Sequence, residues 1–159
     1  MIKKIICLCA ALTLCGGFAW ANQEKPVFNV ITVAGVITTP TAKYIADSID
    51  KAKKDVAEGL LILLDTPGGM DTAMRDIAKS LLNSPVPVIV YVYPSGARAA
   101  SAGVIIATAA HVAAMAPGTN IGAAHPVAIG LGGSGGMDKT MAEKLENDAA
   151  AYARSIAKI

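Results

Sequence analysis

Beyond residue 21 the sequence has no cysteine. All three cysteines, Cys7, Cys9 and Cys15, stand in the first fifteen positions. The rest of the chain therefore cannot form a disulfide, a thiolate metal site or a cysteine nucleophile. Histidine occurs only at His111 and His125, and no His, Asp or Glu cluster has the spacing of metal ligands. Nothing in the sequence asks for a metal or another cofactor. Aromatic residues are scarce, at 4%, and no charge of one sign dominates. Once Lys3 and Lys4 are set aside with the leader described next, basic residues only equal the 12 acidic ones. A near-neutral domain gives a general nucleic-acid surface no electrostatic support, so no nucleic-acid partner is expected.

Lys3 and Lys4 open a short positive region, and Ile5 to Phe18 is an almost unbroken apolar run. Ala19-Trp20-Ala21 is a small-x-small site, followed by polar Asn22, Gln23, Glu24 and Lys25. This pattern predicts a secretory signal peptide over residues 1–21 and an exported domain over 22–159. The run is short of the ~20 apolar residues of a membrane-spanning helix; an uncleaved anchor is the competing reading.

Abundant Ala, Gly, Val and Ile suit an α/β core. Val27–Val33 reads as a strand. Thr38 and Thr39 are helix caps before Pro40, and Tyr44, Ile45, Ile49, Ala52 and Val56 follow at helical spacing, with Gly59 closing that helix. Leu60–Leu64 is a continuous apolar run of the kind buried on both faces of a parallel sheet. Asp65-Thr66-Pro67-Gly68-Gly69 makes a turn before a helix over Asp71–Leu82, which Ser84-Pro85 breaks. Val86–Tyr93 is the next strand, and Pro94-Ser95-Gly96 a turn. A small-residue helix is expected over Ala100–Ala110 and a strand over His111–Met115. Ile121–Val127 reads as extended, Gly130–Gly136 as a glycine-rich loop, and a last helix runs from near Asp138. Its pattern continues to Ile159 without a stop signal, which suggests a domain incomplete at its C-terminus, with Ile156, Ala157 and Ile159 packing on structure not in this sequence. Alternating strands and helices imply a parallel β-sheet with right-handed β-α-β crossovers.

Two stretches carry chemistry. In Gly96-Ala97-Arg98-Ala99-Ala100-Ser101-Ala102-Gly103, a serine follows a strand and opens a helix of small residues, where unpaired backbone N–H groups favour an anion. The Ala102 N–H can point at an oxygen that turns negative during attack on a carbonyl. A plain N-cap serine fits the same stretch. The Gly68-Gly69 pair follows a neighbouring parallel strand, where α/β sheets place ligands, and its N–H groups can supply a second oxyanion donor; a pair that only makes the turn fits too. A serine hydroxyl needs a base. His125 follows the next turn, Lys144 lies on the last helix, and His111 starts an apolar strand and reads as structural or surface. A lysine serves only where burial lowers its pKa, so on the residues alone His125 is preferred. Arg98 can steer a carboxylate or simply be solvated.

The run Leu63 to Gly69, the block Pro94 to Gly103 and the stretch Met115 to Pro126 together resemble the NfeD family, membrane-associated serine proteases of the ClpP class. The resemblance covers residues 22–159, and its motifs occur in the family's order and spacing. It implies a ClpP/crotonase-like fold and a serine endopeptidase that cleaves hydrophobic segments of stomatin- or prohibitin-like membrane proteins. It implies a Ser–Lys dyad of Ser101 and Lys144, the lysine being the one that opens Lys144-Leu145-Glu146-Asn147-Asp148 and runs on to Ala151-Tyr152-Ala153-Arg154-Ser155. It also implies oxyanion donors at Gly68 or Gly69 and at Ala102, and a homodimer. His125 sits close to where ClpP itself carries its histidine, so a Ser101–His125 pair is the alternative. Two further rivals are a crotonase-type acyl-CoA enzyme, which shares the fold and paired amides, and a non-catalytic scaffold that binds a stomatin-like partner.

Overall fold

The computed structural model describes residues 25–124 and 139–158. The leader, His125 and the glycine-rich loop lie outside these residues. Four strands form a parallel sheet in the order β1 (Phe28–Ala34), β2 (Gly59–Asp65), β3 (Val88–Val92) and β5 (Val112–Met115). Helix α1 (Thr39–Lys54) joins β1 to β2, and α2 (Asp71–Leu82) joins β2 to β3. After β3 comes a three-residue strand, β4 (Arg98–Ala100), then α3 (Ala102–Thr108), β5, β6 (Asn120–Gly122) and α4 (Lys139–Ile156). Strands β4 and β6 pair in parallel as a separate small sheet. The expected parallel α/β architecture is present.

The apolar positions explain the packing. Leu60, Ile62 and Leu64 of β2 and Val88 and Val90 of β3 are fully buried, and they meet Ile45 and Ile49 of α1, Ile77 and Leu81 of α2 and Ile106 of α3 in one core. α1 packs on α2 and α2 on α3, so the helices form a row over one sheet face. The opposite face is only partly covered among the described residues: Leu61, Leu63, Ile89 and Tyr91 are half-buried and Val30 is exposed. The apolar run of β2 is thus fully buried on one face, not on both as its composition suggests.

Strand ends shift by one or two residues from the sequence reading, and three larger differences have a physical reason. Helix α1 ends at Lys54, not at Gly59. Asp55 is its C-cap, and Val56 takes the left-handed conformation at φ 55°. Val56 N–H donates to the Lys53 carbonyl at 3.2 Å and Ala57 N–H to the Ala52 carbonyl at 3.0 Å. This is a Schellman turn with valine where glycine is usual, so Gly59 is free to begin β2. At its other end Thr38 is the N-cap, and its N–H donates to Thr41 Oγ1 at 3.4 Å. Second, the small-residue helix begins at Ala102, because Arg98–Ala100 is drawn into the β4–β6 ladder. Third, Ile156 is buried against the core instead of awaiting absent structure, while Ala157 is exposed. His111 accepts a hydrogen bond at Nδ1 from the Val88 N–H at 3.2 Å, which ties the starts of β3 and β5 together at the end of the sheet away from Ser101. No helix of the described residues is long and apolar enough to cross a membrane.

Candidate active site

Ser101 stands between β4 and α3 at φ 51° and ψ −112°. A non-glycine residue at positive φ is strained, and such strain persists only where the surroundings over-determine it. Here they do. Ser101 N–H donates to the Gly122 carbonyl of β6 at 2.9 Å. One residue earlier, Ala100 N–H donates to the Thr66 carbonyl at 3.0 Å, and Thr66 N–H donates to the Arg98 carbonyl at 2.7 Å. Arg98 N–H in turn donates to Asp65 Oδ1 at 3.0 Å. The strand-to-helix elbow is therefore held by main chain on both sides, and its strain lifts the hydroxyl out of the helix line.

The glycine turn after β2 is fixed just as firmly. Ile37 N–H donates to the Gly68 carbonyl at 2.8 Å and Met70 N–H to the Ile37 carbonyl at 2.9 Å. This parallel bridge turns the Gly69 N–H to the other side. A Cβ on Gly69 would lie 2.1 Å from the Ile37 carbonyl oxygen, so only glycine fits. Gly68 has φ 111°, and a Cβ there would lie 2.7 Å from the Ser101 Cβ. Thr66, fully buried, accepts the Gly68 N–H at Oγ1 at 3.0 Å. Of the two expected amides, Gly68 is thus already engaged, and the Gly69 N–H makes no hydrogen bond among the described residues. The Ala102 N–H, in the first turn of α3, has no partner one turn back.

These groups border one cleft of about 960 Å³, lined by Pro67, Gly68, Gly69, Ser101, Ala102, Gly122, Ala123 and Ala124, with Val36, Met70, Met74 and Ile105 as apolar walls. Helix α4 forms the remaining wall with Glu146, Ala149, Ala150, Tyr152 and Ala153. It is clamped to α2 through Arg75. The Arg75 Nε–H donates to Asp71 Oδ2 at 2.8 Å, its Nη2 donates to Asp148 Oδ2, and its guanidinium carbon lies 4.3 Å from the centre of the Tyr152 ring. Hydrogen bonding to Asp71 raises the pKa of Arg75 further, and burial pushes the Tyr152 phenol up.

The structure therefore brings together Ser101, Gly68, Gly69 and Ala102. It does not bring Lys144 to them. Lys144 is exposed and is not part of the cleft lining, because at 100° per residue it falls on the face of α4 opposite Glu146, Ala150 and Ala153. Arg98 is exposed and contributes its backbone to the elbow. Thr66, the Gly122 carbonyl and the Arg75 clamp went unnoticed in the sequence. The only signal for Thr66 was its place inside the Asp65-to-Gly69 motif; the other two depend on long-range pairing.

A parallel α/β sheet with a strained serine elbow facing a glycine turn is the architecture of the ClpP class. A solved ClpP1 point mutant from Listeria monocytogenes superposes with a TM-score of 0.59 over 82% of this chain and 77% of its own, at 18% identity, a likeness of fold. Residues 27–156 match the model of the NfeD1b N-terminal domain, so the chain belongs to the NfeD family. It is 43% identical over 133 residues to the membrane-bound protease PH1510 of Pyrococcus horikoshii, covering 84% of this chain and 30% of that protein. Two solved variants of the 1510-N membrane-bound stomatin-specific protease are similar to it. A serine-to-alanine mutant has a TM-score of 0.76 at 41% identity, covering 84% of this chain and 64% of that one. A lysine-to-alanine mutant in complex with a substrate peptide has a TM-score of 0.75 at 40% identity, covering 85% and 61%. The chain spans less than a third of the length of the curated relative PH1510.

Proposed function

We propose that this chain is the protease domain of a membrane-associated serine endopeptidase that cleaves apolar segments of stomatin- or prohibitin-like membrane proteins. The observation that carries this reading is the strained Ser101 elbow, which shares a cleft with two amides, Gly69 and Ala102, that are unengaged among the described residues. In this mechanism Ser101 Oγ attacks the scissile carbonyl and loses its proton to a base. The Gly69 and Ala102 N–H groups hold the oxygen that becomes negative, a contribution of about 3 kcal/mol per donor in well-studied enzymes. The protonated base then gives its proton to the leaving amine, and water releases the acyl group. Val36, Met70, Met74 and Ile105 give the cleft an apolar wall suited to an apolar peptide. Following the resemblance, the protein acts as a homodimer on the extracytoplasmic side.

The base is Lys144, on the family resemblance and on the pairing of serine and lysine variants among the similar structures. With Lys144 on the outer face, α4 must turn, or be drawn in by substrate, for the amine to reach Ser101. Catalytic hydrogen bonds commonly tighten only in the substrate complex. The Ser–His reading keeps one observation of its own: Ala123 and Ala124 line the cleft, and His125 is the next residue in the sequence. Cleavage of an apolar peptide by Lys144→Ala and His125→Ala separates the two. Loss of activity in Lys144→Ala with activity kept in His125→Ala is the expected result; the reverse overturns the lysine assignment.

A further inference from the structure

We propose that the end of the sheet where the strands begin, opposite Ser101, is a contact face for an anionic lipid surface, with Val56 as its apolar tip. The four strands start together, since Phe28 pairs with Gly59, Leu60 with Val88 and Ile89 with Val112. The glycine turn and the Ser101 elbow lie at the other end, about 20 Å away along seven residues of β2.

Three observations meet at this end. Val56 is 88% exposed and sits at φ 55°. A β-branched side chain is disfavoured in that backbone, and glycine would close the same turn without strain. An apolar residue held strained and bare conflicts with the local rules of folding, and such conflicts mark functional positions. Next, the turn is joined to the entry of the chain into the sheet: Glu58 N–H donates to the Val27 carbonyl at 2.8 Å, and Val27 is itself exposed. Six residues separate Phe18, the last residue of the apolar leader run, from Lys25, which stands two positions before Val27. At full extension they reach ~25 Å, so this end lies close to the bilayer while the run is in the membrane. Finally, Lys51, Lys53 and Lys54 stand in the last turn of α1, and Lys25 lies two residues before Val27. Asp55, next to Val56 in the chain, is engaged by Lys51 Nζ at 2.6 Å and Asn29 Nδ2 at 2.8 Å, which lower its pKa, so Lys51 is paired while Lys53 and Lys54 carry the positive charge; Glu58 is the other carboxylate of the segment. An apolar tip among lysines matches the interface of an anionic bilayer, where the tip enters the headgroup layer and the amines meet phosphates.

This inference uses the membrane association of the family and is independent of the chemistry at Ser101. The test uses the full chain with Cys7, Cys9 and Cys15 changed to serine, reconstituted in vesicles of phosphatidylcholine and phosphatidylglycerol containing lipid-borne quenchers. A bimane label is placed at Val56→Cys, or at exposed Ser95→Cys at the opposite end. The label at position 56 is expected to be quenched, the label at 95 to remain bright, and the quenching at 56 to fall at least about fivefold when Lys53→Glu and Lys54→Glu are added. Equal quenching at both positions, or no loss on charge reversal, overturns the proposal. Neither readout depends on whether Ser101 cleaves anything.

Discussion

A Cβ on Gly68 would lie 2.7 Å from the Cβ of Ser101 and 3.1 Å from its Oγ. The two residues are in contact because glycine leaves room, and φ 111° at Gly68 adds a second reason for glycine. Gly68→Ala is expected to push the serine hydroxyl from its place and to strain the turn by about 1–3 kcal/mol. Reaction of Ser101 with an active-site probe, read beside a thermal melt, checks this. A variant that melts like the wild type and reacts at the same rate contradicts it.

Thr66 holds that glycine from beneath. Its hydroxyl accepts the Gly68 N–H in a fully buried position. Thr66→Val keeps the shape and removes the acceptor, leaving a buried donor unpaired. The expected loss is about 1–3 kcal/mol, measured by urea unfolding, with slower chemistry at Ser101.

Much of this arrangement was legible in the sequence. The β-branched and leucine runs of β1, β2 and β3 and the periodicity of α1 and α2 report their own burial, and the glycine pair and small-residue block point to Ser101. Strand β4 was not legible, and of β6 only the extended character of Ile121 and Gly122 was. Arg98–Ala100 and Asn120–Gly122 have no alternating pattern, and they are strands because each pairs with the other and β4 reaches Thr66. Val56 hid the end of α1 because a valine gives no sign of left-handed backbone. Lys144 is the sharper case. A motif names the residue, but the face it occupies is set by how α4 docks through Asp148 and Tyr152 on Arg75, which comes from a distant position in the chain.

That docking makes its own prediction. Arg75→Ala removes two partly exposed ion pairs and a cation–π contact, together worth about 1 kcal/mol. The larger effect is expected on α4, whose first turns are exposed: amide hydrogen exchange over residues 139–150 should accelerate while β2 and β3 stay protected. Unchanged exchange in α4 means that Arg75 does not hold it.

Tyr152 gives the clamp a pH dependence. Burial lifts its phenol above the ordinary 10.0, Arg75 opposes the rise and Asp71 adds to it. With the folded value above the unfolded one, the folded chain keeps the proton longer. The stability this contributes is fully present below the unfolded value and is lost as pH rises through the folded one. Melts across the alkaline range should fall less steeply in Tyr152→Phe than in the wild type, and parallel curves contradict the assignment.

Val56→Gly should relieve the left-handed strain and gain about 1 kcal/mol, a rise of a few degrees in Tm. A fall in Tm would show that the valine contributes packing that its exposure conceals.

The hydroxyl at residue 101 is most directly tested by a fluorophosphonate probe, followed by peptide mapping of the adduct. A single phosphonylated site at Ser101, absent in Ser101→Ala, is the expected result. Folded protein that takes up no label, or takes it up at another serine, contradicts the account.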